Sequence, residues 1–494
     1  MKTRVVKTAS GANAVQVVRY QNNKRVVLRH IGSAHSQEEL QDLLFTAEEW
    51  IKEYGGQLSI FPDEKPGNLL PLDHSTFVGV KYRFFYEQIG ALQELMGLDD
   101  LPALLNDLVS IRIFEPASKL RSLELLELYF GVFHSRKSYY KIAPDCLELK
   151  QSVEQRVVAF AKAHYAFKYD LLFYDVTTLY FETFEEDDLR KNGFSKDNKS
   201  QQPQILIALL VSKEGFPVAY EIFPGNTFEG HTIIPVIQTF IKKNEAKDFT
   251  VVADAAMIST ENVRQLIQNG INYIVGARLG NLSASELEVI DKRLSREDGR
   301  SIRLKTANGY LICSFSQVRY RKDSYEMEKQ IQKAKQVVER PSKSKKIKYT
   351  QTDGVKISLN EALIEKNRKL LGIKGYYTNL EESIADNATI MERYHELYKI
   401  EQAFRISKSD LQTRPIFHFK EQPIKLHILI CFMALVISKH IELKTDISIR
   451  KYIEGSRRVV DGELLNHITN KVVTVKAAPN PIMAKITENL FPPH

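Results

Sequence analysis

The chain has only three cysteines in 494 residues, Cys146, Cys313 and Cys431. They stand far apart in the sequence, so neither a disulfide framework nor a zinc site is expected, and a reducing cytoplasm is the expected compartment. There is a single tryptophan, Trp50. No charged-then-apolar leader opens the chain. Long apolar runs are scarce as well. The most apolar, Ile424 to Ile437, contains Lys425 and His427 and is too short to span a bilayer, so a buried helix is expected there. Acid is missing altogether from the first 36 residues, which carry Lys2, Arg4, Lys7, Arg19, Lys24, Arg25 and Arg29. A second basic run, Lys333 to Lys348, holds Lys333, Lys335, Arg340, Lys343, Lys345, Lys346 and Lys348 against a lone Glu339. Net charge is +8. Two such runs on a basic chain point to a polyanion, and nucleic acid is the expected partner. Hydrophobic content of 43% and charged content of 26% fit a globular protein too long for one ordinary domain.

Organisation follows from periodicity. Residues 14–20 and 25–31 alternate as two strands about a turn at Gln21 to Lys24, and Ser36 with Glu39 three residues on reads as the capping box of a helix closed by Gly55-Gly56. This makes a small basic module over residues 1–60, followed by a linker from Pro62 to Pro71. Residues 75–168 read as helical and as a DNA-binding region. There Ser135-Arg136-Lys137-Ser138-Tyr139-Tyr140-Lys141 mixes hydroxyls, cations and aromatics, suited either to phosphate contacts and base stacking or to a polar turn between helices. From residue 170 the pattern changes to short apolar strands: 171–175, 204–211 and 216–223, a helix over 231–244, a strand over 250–254, a helix over 259–269 and a strand over 273–277. The expected fold class is α/β. The order β-β-β-α-β-α-β, closed by a last helix, is that of a ribonuclease-H-like catalytic core, here residues 169–278 and 371–440. Between them, residues 279–370 are expected to form an inserted β-rich basic domain with strands near 301–304, 310–314 and 317–320. Residues 441–494 are left as an irregular tail.

Chemistry is expected where acids end strands. Asp175 closes the first strand and Asp254 the fourth, and in this strand order those two strands are neighbours. A third acid, Glu401, lies in Tyr394-His395-Glu396-Leu397-Tyr398-Lys399-Ile400-Glu401-Gln402-Ala403-Phe404-Arg405-Ile406-Ser407-Lys408, which reads as one helix. Its apolar side is Tyr394, Leu397, Tyr398 and Phe404, with Glu401 beside the stripe near the core and Lys408 two turns on. Read alone, Asp175 and Asp254 are turn acids and Glu401–Arg405 an ordinary i,i+4 pair. Taken together, three carboxylates about one point need divalent cations, and oxygen ligands suit two Mg²⁺ or Mn²⁺ ions. Two such ions activate a nucleophile and stabilise the leaving oxygen in phosphodiester cleavage. Glu182, in the acidic loop at 182–188, and Asn226, Glu229 and His231 are weaker candidates, His231 chiefly as a helix-start residue.

Three stretches carry a resemblance: Tyr174-Asp175-Val176-Thr177-Thr178, Val252-Ala253-Asp254-Ala255, and the Tyr394…Glu401…Lys408 spacing. They resemble the DDE transposases of bacterial insertion sequences, and most closely the IS-four superfamily, whose β-strand insertion separates the second Asp from the Glu. Gly193-Phe194-Ser195-Lys196-Asp197 and Phe223-Pro224-Gly225-Asn226-Thr227 resemble segments of the same group. That group's Tyr-x₂-Arg-x₃-Glu-x₆-Lys signature is matched at Tyr394, Glu401 and Lys408 and departs at its arginine position, which here is Leu397; Arg405 or Arg393 would substitute. The resemblance implies that Asp175, Asp254 and Glu401 are the metal-binding catalytic residues, that Tyr394, Arg405 and Lys408 contact the DNA end, and that Lys343, Lys345, Lys346, Arg136 and Lys137 add contacts. It implies cutting of double-stranded DNA at terminal inverted repeats, joining of 3′-hydroxyls to target DNA, a homodimer in the DNA complex, and nucleoid association in a bacterial cytoplasm. Relatives that pass through a DNA hairpin stack a flipped base on a tryptophan of the insertion; here Tyr310, Tyr320 or Tyr325 would serve. A plain nuclease of the same fold, a non-catalytic DNA-binding descendant and a carboxylate-pair sugar hydrolase are the rival readings.

Overall fold

The computed structural model describes residues 1–9, 11–21, 24–55, 72–193, 201–246, 249–257, 259–339, 347–353 and 356–492. Two compact units result, one of residues 1–83 and 459–479 and one of residues 84–458 and 480–494.

In the first unit, strands β1 (Lys2–Lys7), β2 (Asn13–Gln21) and β3 (Lys24–Ala34) form an antiparallel sheet in the order β1-β2-β3. The hairpin read from the sequence is therefore joined by a third strand, Lys2–Lys7. Val15, Val17 and Ala34 pack on Leu43 and Ala47 of the helix Gln37–Gly55. The expected capping box is present: Ser36 Oγ accepts from Glu39 N at 3.1 Å, and the Glu39 carboxylate takes the amides of His35 and Ser36. Strand β4 (Ser75–Lys81) pairs antiparallel with Asp461–Asn466, which pairs in turn with Lys471–Val475. Two expectations fail here, the helical start at residue 75 and the irregular tail after 441. Both strands are short and find partners nearly 400 residues away in sequence, and a local pattern carries no trace of such a partner.

The second unit begins with helices Arg83–Leu95, Ala103–Phe114, Lys119–Leu125, Arg136–Glu148 and Lys150–Tyr165, as the periodicity predicts. Helix Ala103–Phe114 is buried on all sides and packs on helix Glu421–Thr445. Among its polar residues, Asp107 accepts from Tyr86 Oη at 2.6 Å and meets His134 Nε2 at 2.5 Å. Helix Glu421–Thr445 is long and apolar enough to cross a membrane, and 94% of its most apolar window is buried inside the protein, so it is a core helix.

A large mixed sheet forms the rest. Its strands are β5 (Leu171–Tyr180), β6 (Gln204–Ser212), β7 (Pro217–Pro224), β8 (Thr250–Ala253), β9 (Asn272–Gly276), β10 (Ser301–Thr306) and β11 (Gly309–Phe315); a separate hairpin β12 (Thr350–Asp353) and β13 (Lys356–Leu359) intervenes before β14 (Ile373–Thr378). The order across the sheet is β10-β11-β14-β9-β8-β5-β6-β7, with β5–β8 and β8–β9 parallel and the other pairs antiparallel. Helix Ile233–Asn244 connects β7 to β8, and helix Thr260–Gln268 connects β8 to β9.

Four expectations are corrected here. Strand β5 runs five residues past Asp175, so that acid lies within the strand and not at its end. Residues 279–370 are not a β-rich domain apart from the core: β10 and β11 extend the main sheet through β14, and the segment carries more helix than strand. The expected strand at 317–320 is the start of the long helix Gln317–Glu339. Val318 and Tyr320 gave it a strand-like alternation, but the Lys-, Glu- and Gln-rich stretch behind them favours helix. Finally, residues 394–408 are not one helix. Asn387–His395 ends, Tyr398–Arg405 begins anew, and a wide turn Ile406–Asp410 follows.

Candidate active site

Parallel pairing sets Tyr174 opposite Ala253, so Asp175, within β5, and Asp254, the residue just past β8, follow at the same level. Such strands lie about 4.8 Å apart. Each acid is held by the backbone amide that follows it: Asp175 Oδ1 accepts from Val176 N at 2.8 Å, and Asp254 Oδ1 from Ala255 N at 2.6 Å. Asp175 is half-buried and Asp254 exposed. Beneath them Tyr174 is wholly buried, its hydroxyl 2.5 Å from Thr232 Oγ1.

The third acid arrives from the helix Tyr398–Arg405, which packs across β5 through buried Ile400, Ala403 and Phe404. Glu401 is on the exposed side of that helix and not near the core as the single-helix reading placed it. The helix breaks at Glu396–Leu397, so Tyr394 and Glu401 belong to different helices. They meet through space instead. Tyr394 Oη donates to Asp254 Oδ1 at 3.4 Å, and both Asp254 and Glu401 act electrostatically on Tyr394 and on Lys374. Burial above all, then Asp254, pushes the Tyr394 phenol up, so it stays a donor.

Lys374, on β14, is a site residue that the sequence did not flag. A lone lysine on a strand breaks no pattern that would single it out. Its ammonium lies 4.8 Å from the Tyr394 ring centroid and 5.5 Å from that of Tyr376. Burial and then Arg319 lower its pKa, while Asp254 and Glu401 raise it. Alongside opens a cleft of about 700 Å³ lined by Arg319, Lys374, Tyr376, His395 and Tyr398 among others. Cations and aromatic faces thus adjoin Asp254 and Glu401.

All three acids offer hard oxygen donors, which suits Mg²⁺ or Mn²⁺ better than softer metals. Among the described residues, however, no group of three or more His, Cys, Asp or Glu side chains is drawn close enough to hold a metal ion. The acids approach from two strands and one helix, with Asp254 and Glu401 both facing solvent.

The remaining candidates are scattered. Arg405 is exposed at the end of its helix, and Lys408 is on the wide turn after it. Arg136 and Lys137 are exposed in the first turn of a helix capped by Ser135, with Arg136 5.7 Å from the Tyr140 ring centroid. Lys343, Lys345 and Lys346 lie outside the described residues, as do residues 194–197 of the Gly193 motif. His231 closes the short turn Glu229–His231 that leads into helix Ile233–Asn244. Of the insertion tyrosines, Tyr310 donates to Glu381, Tyr320 is part-covered by the Phe315 ring, and Tyr325 is 72% exposed.

Residues 166–437, more than half of the chain, match the family described as "Transposase DDE domain". Among solved structures the chain is similar to a piggyBac transposase synaptic complex with hairpin DNA, at 10% identity and a TM-score of 0.36, over 83% of this chain and 70% of that one. It is also similar to a Mos1 transposase paired-end complex with the left transposon end, at 12% identity and a TM-score of 0.16, over 47% of this chain and 66% of that one. Neither likeness is close enough to carry an argument. No curated protein matches the chain.

Proposed function

The chain belongs to the transposase DDE domain family, and from that premise we propose that it is a DNA transposase of the IS-four type. It cuts the inverted ends of its own element and joins the freed 3′-hydroxyls to target DNA. The observation that carries this reading is the pair Asp175 and Asp254 at one level on adjacent parallel strands, with Glu401 acting on the same Lys374 and Tyr394 as Asp254. The ribonuclease-H-like strand order β7-β6-β5-β8-β9 supports it.

In this reading Asp175, Asp254 and Glu401 would hold two Mg²⁺ or Mn²⁺ ions: their hard oxygen donors suit such ions, although among the described residues the three side chains do not themselves converge into a closed metal site. When bound, the ions supply an activated water or 3′-hydroxyl and stabilise the leaving oxygen. The protein's own share is positioning. Backbone amides of Val176 and Ala255 orient the two aspartates. The Tyr394 hydroxyl holds one oxygen of Asp254 and leaves the other free. Lys374 and Arg319, on the wall of the adjoining cleft, meet the phosphates of the DNA end. They take the place of the family's arginine, whose position is Leu397, 7% exposed at the helix break. Lys408 and Arg405 reach the same end, and Arg136, Lys137 and the 343–346 lysines add contacts elsewhere on the duplex. Two copies bring the two ends together.

The test is a plasmid carrying this gene with its natural flanks, incubated with protein and Mg²⁺. Breaks confined to two inverted flanking repeats are expected, and Glu401→Gln should abolish them. Breaks scattered along the plasmid would instead identify a plain nuclease.

A further inference from the structure

A pocket of about 180 Å³, separate from the acids, opens between the end of helix Ala103–Phe114, the turn at 116–119 and the segment 412–418. Its lining is basic: Arg112, Lys119 and Arg414, with the imidazoles of His418 and His427. Arg112, Lys119 and His427 are 4%, 5% and 4% exposed. Arg112 spends one donor on the carbonyl of Ala117, at 2.8 Å. His427 Nε2 donates to Thr413 O at 3.0 Å, which leaves Nδ1 buried with no hydrogen-bond partner, an acceptor in the neutral ring and a donor only once an anion in the pocket favours the charged one. Neither Arg112 nor Lys119 forms an ion pair among the described residues, and no carboxylate acts on Lys119, His418 or His427.

Buried cations are ordinarily matched by acids, because an unmatched charge away from water is strongly unfavourable. Here Arg112 and Lys119 share one cavity whose lining holds no acid, and the cavity has room for a tetrahedral anion. The surroundings fit a nucleotide. Phe417 lines the pocket and Phe419 follows two residues on, each 60% exposed, and exposed aromatics beside a cationic groove are platforms for bases. The pocket is also connected to the acids. Phe181, next after β5, bridges Ile416, and the Arg414 guanidinium lies 5.6 Å from the ring centroid of Tyr180. Along β5 the five residues from Asp175 to Tyr180 span about 16 Å, roughly half a turn of duplex.

We propose that the Arg112–Lys119–His427 pocket is a phosphate-binding site that receives a backbone phosphate of the DNA, with a neighbouring base against Phe417. The phosphate chemistry rests on the pocket alone; DNA as its source rests on the transposase reading.

The test uses the full chain and the variants Lys119→Met and Lys119→Arg. Melting is followed in inorganic phosphate and in chloride at matched ionic strength, and the affinity for a labelled duplex is measured across a salt series. Lys119→Met removes an unmatched charge and keeps the stem, so it should fold and melt higher than wild type in chloride. Phosphate should raise the melting temperature of the wild type and of Lys119→Arg, but not of Lys119→Met. Lys119→Met should weaken binding to duplexes of any sequence and lower the salt slope by about one, with Lys119→Arg restoring both. Equal stabilisation of wild type and Lys119→Met by phosphate would overturn the site. Loss of the phosphate response with unchanged duplex affinity would overturn DNA as its occupant. Failure of the wild type to bind any duplex would count against the transposase reading, while the phosphate response would still decide the pocket.

Discussion

Single side chains make stability rise with pH in two separate windows. Burial and then Arg112 push the Lys119 ammonium down to about 7 from an ordinary 10.5. Between those values the unfolded chain binds a proton that the folded chain does not, so this group's contribution to stability rises with pH across that window. Urea melts of wild type and Lys119→Met should therefore differ most below pH 7 and converge toward pH 10. Three histidines act lower. Burial is the main cause that pushes His418 to about 4 and His440 to about 3, and it holds His427 well below its usual value. Each is neutral in the fold and charged in the unfolded chain below about 6.5, so their contribution to stability is lost as pH falls from 6.5 toward 3. Acid titration followed by circular dichroism should show unfolding beginning in that range, and His440→Phe should soften it. At the acids themselves, Tyr394→Phe removes the 3.4 Å hydrogen bond to Asp254 and keeps the ring between Lys374 and Tyr376. A neutral-to-charged hydrogen bond contributes about 1.5–3 kcal/mol when well formed. This one is long, so end cleavage should fall only several-fold, measured in single turnover.

At the scale of elements, legibility tracked how local each cause is. Strand β6, buried along its whole length, announced itself as the apolar run Ile205 to Val211, and the Ser36–Glu39 capping box could be read from two residues. The break at Glu396–Leu397 could not, because Tyr394, Leu397 and Phe404 keep helical spacing whether or not the backbone between them is continuous. Nor could the joining of β10 and β11 to the main sheet, which depends on β11 pairing with β14 about 60 residues away. Lys374 and the Lys119 pocket escaped for the same reason: their meaning comes from what surrounds them, not from spacing. Strand β9 offers a prediction at this scale. A Cβ on Gly276 would meet Tyr394 Oη at 2.5 Å and Ala255 Cβ at 3.1 Å. Gly276→Ala should displace the hydroxyl and the turn after Asp254. It should lower stability by about 1–3 kcal/mol and reduce end cleavage more than Tyr394→Phe does, since it disturbs two neighbours of Asp254 at once.

At the scale of the whole molecule, charge is divided between the units. The first unit carries the acid-free stretch, whose strand β3 presents Arg25 and Arg29 to solvent. The second carries the acids, the cleft and the cationic pocket. If the first unit contributes to holding DNA, changing Arg19, Arg25 and Arg29 together to Gln should lower the slope of log affinity against log salt by about 0.9 per lost phosphate contact. It should leave the rate of cutting by saturating protein unchanged. The central claim, that the acids on β5 and β8 and on the facing helix bind the ions that cut DNA, is tested most directly by the metal preference of Asp175→Cys. Thiolate is a poor ligand for Mg²⁺ and a better one for Mn²⁺. Cutting at the element ends by this variant should be lost in Mg²⁺ and regained in Mn²⁺, with the wild type active in both. Undiminished cutting by Asp175→Cys in Mg²⁺ would contradict the claim, because Asp175 would then hold no ion.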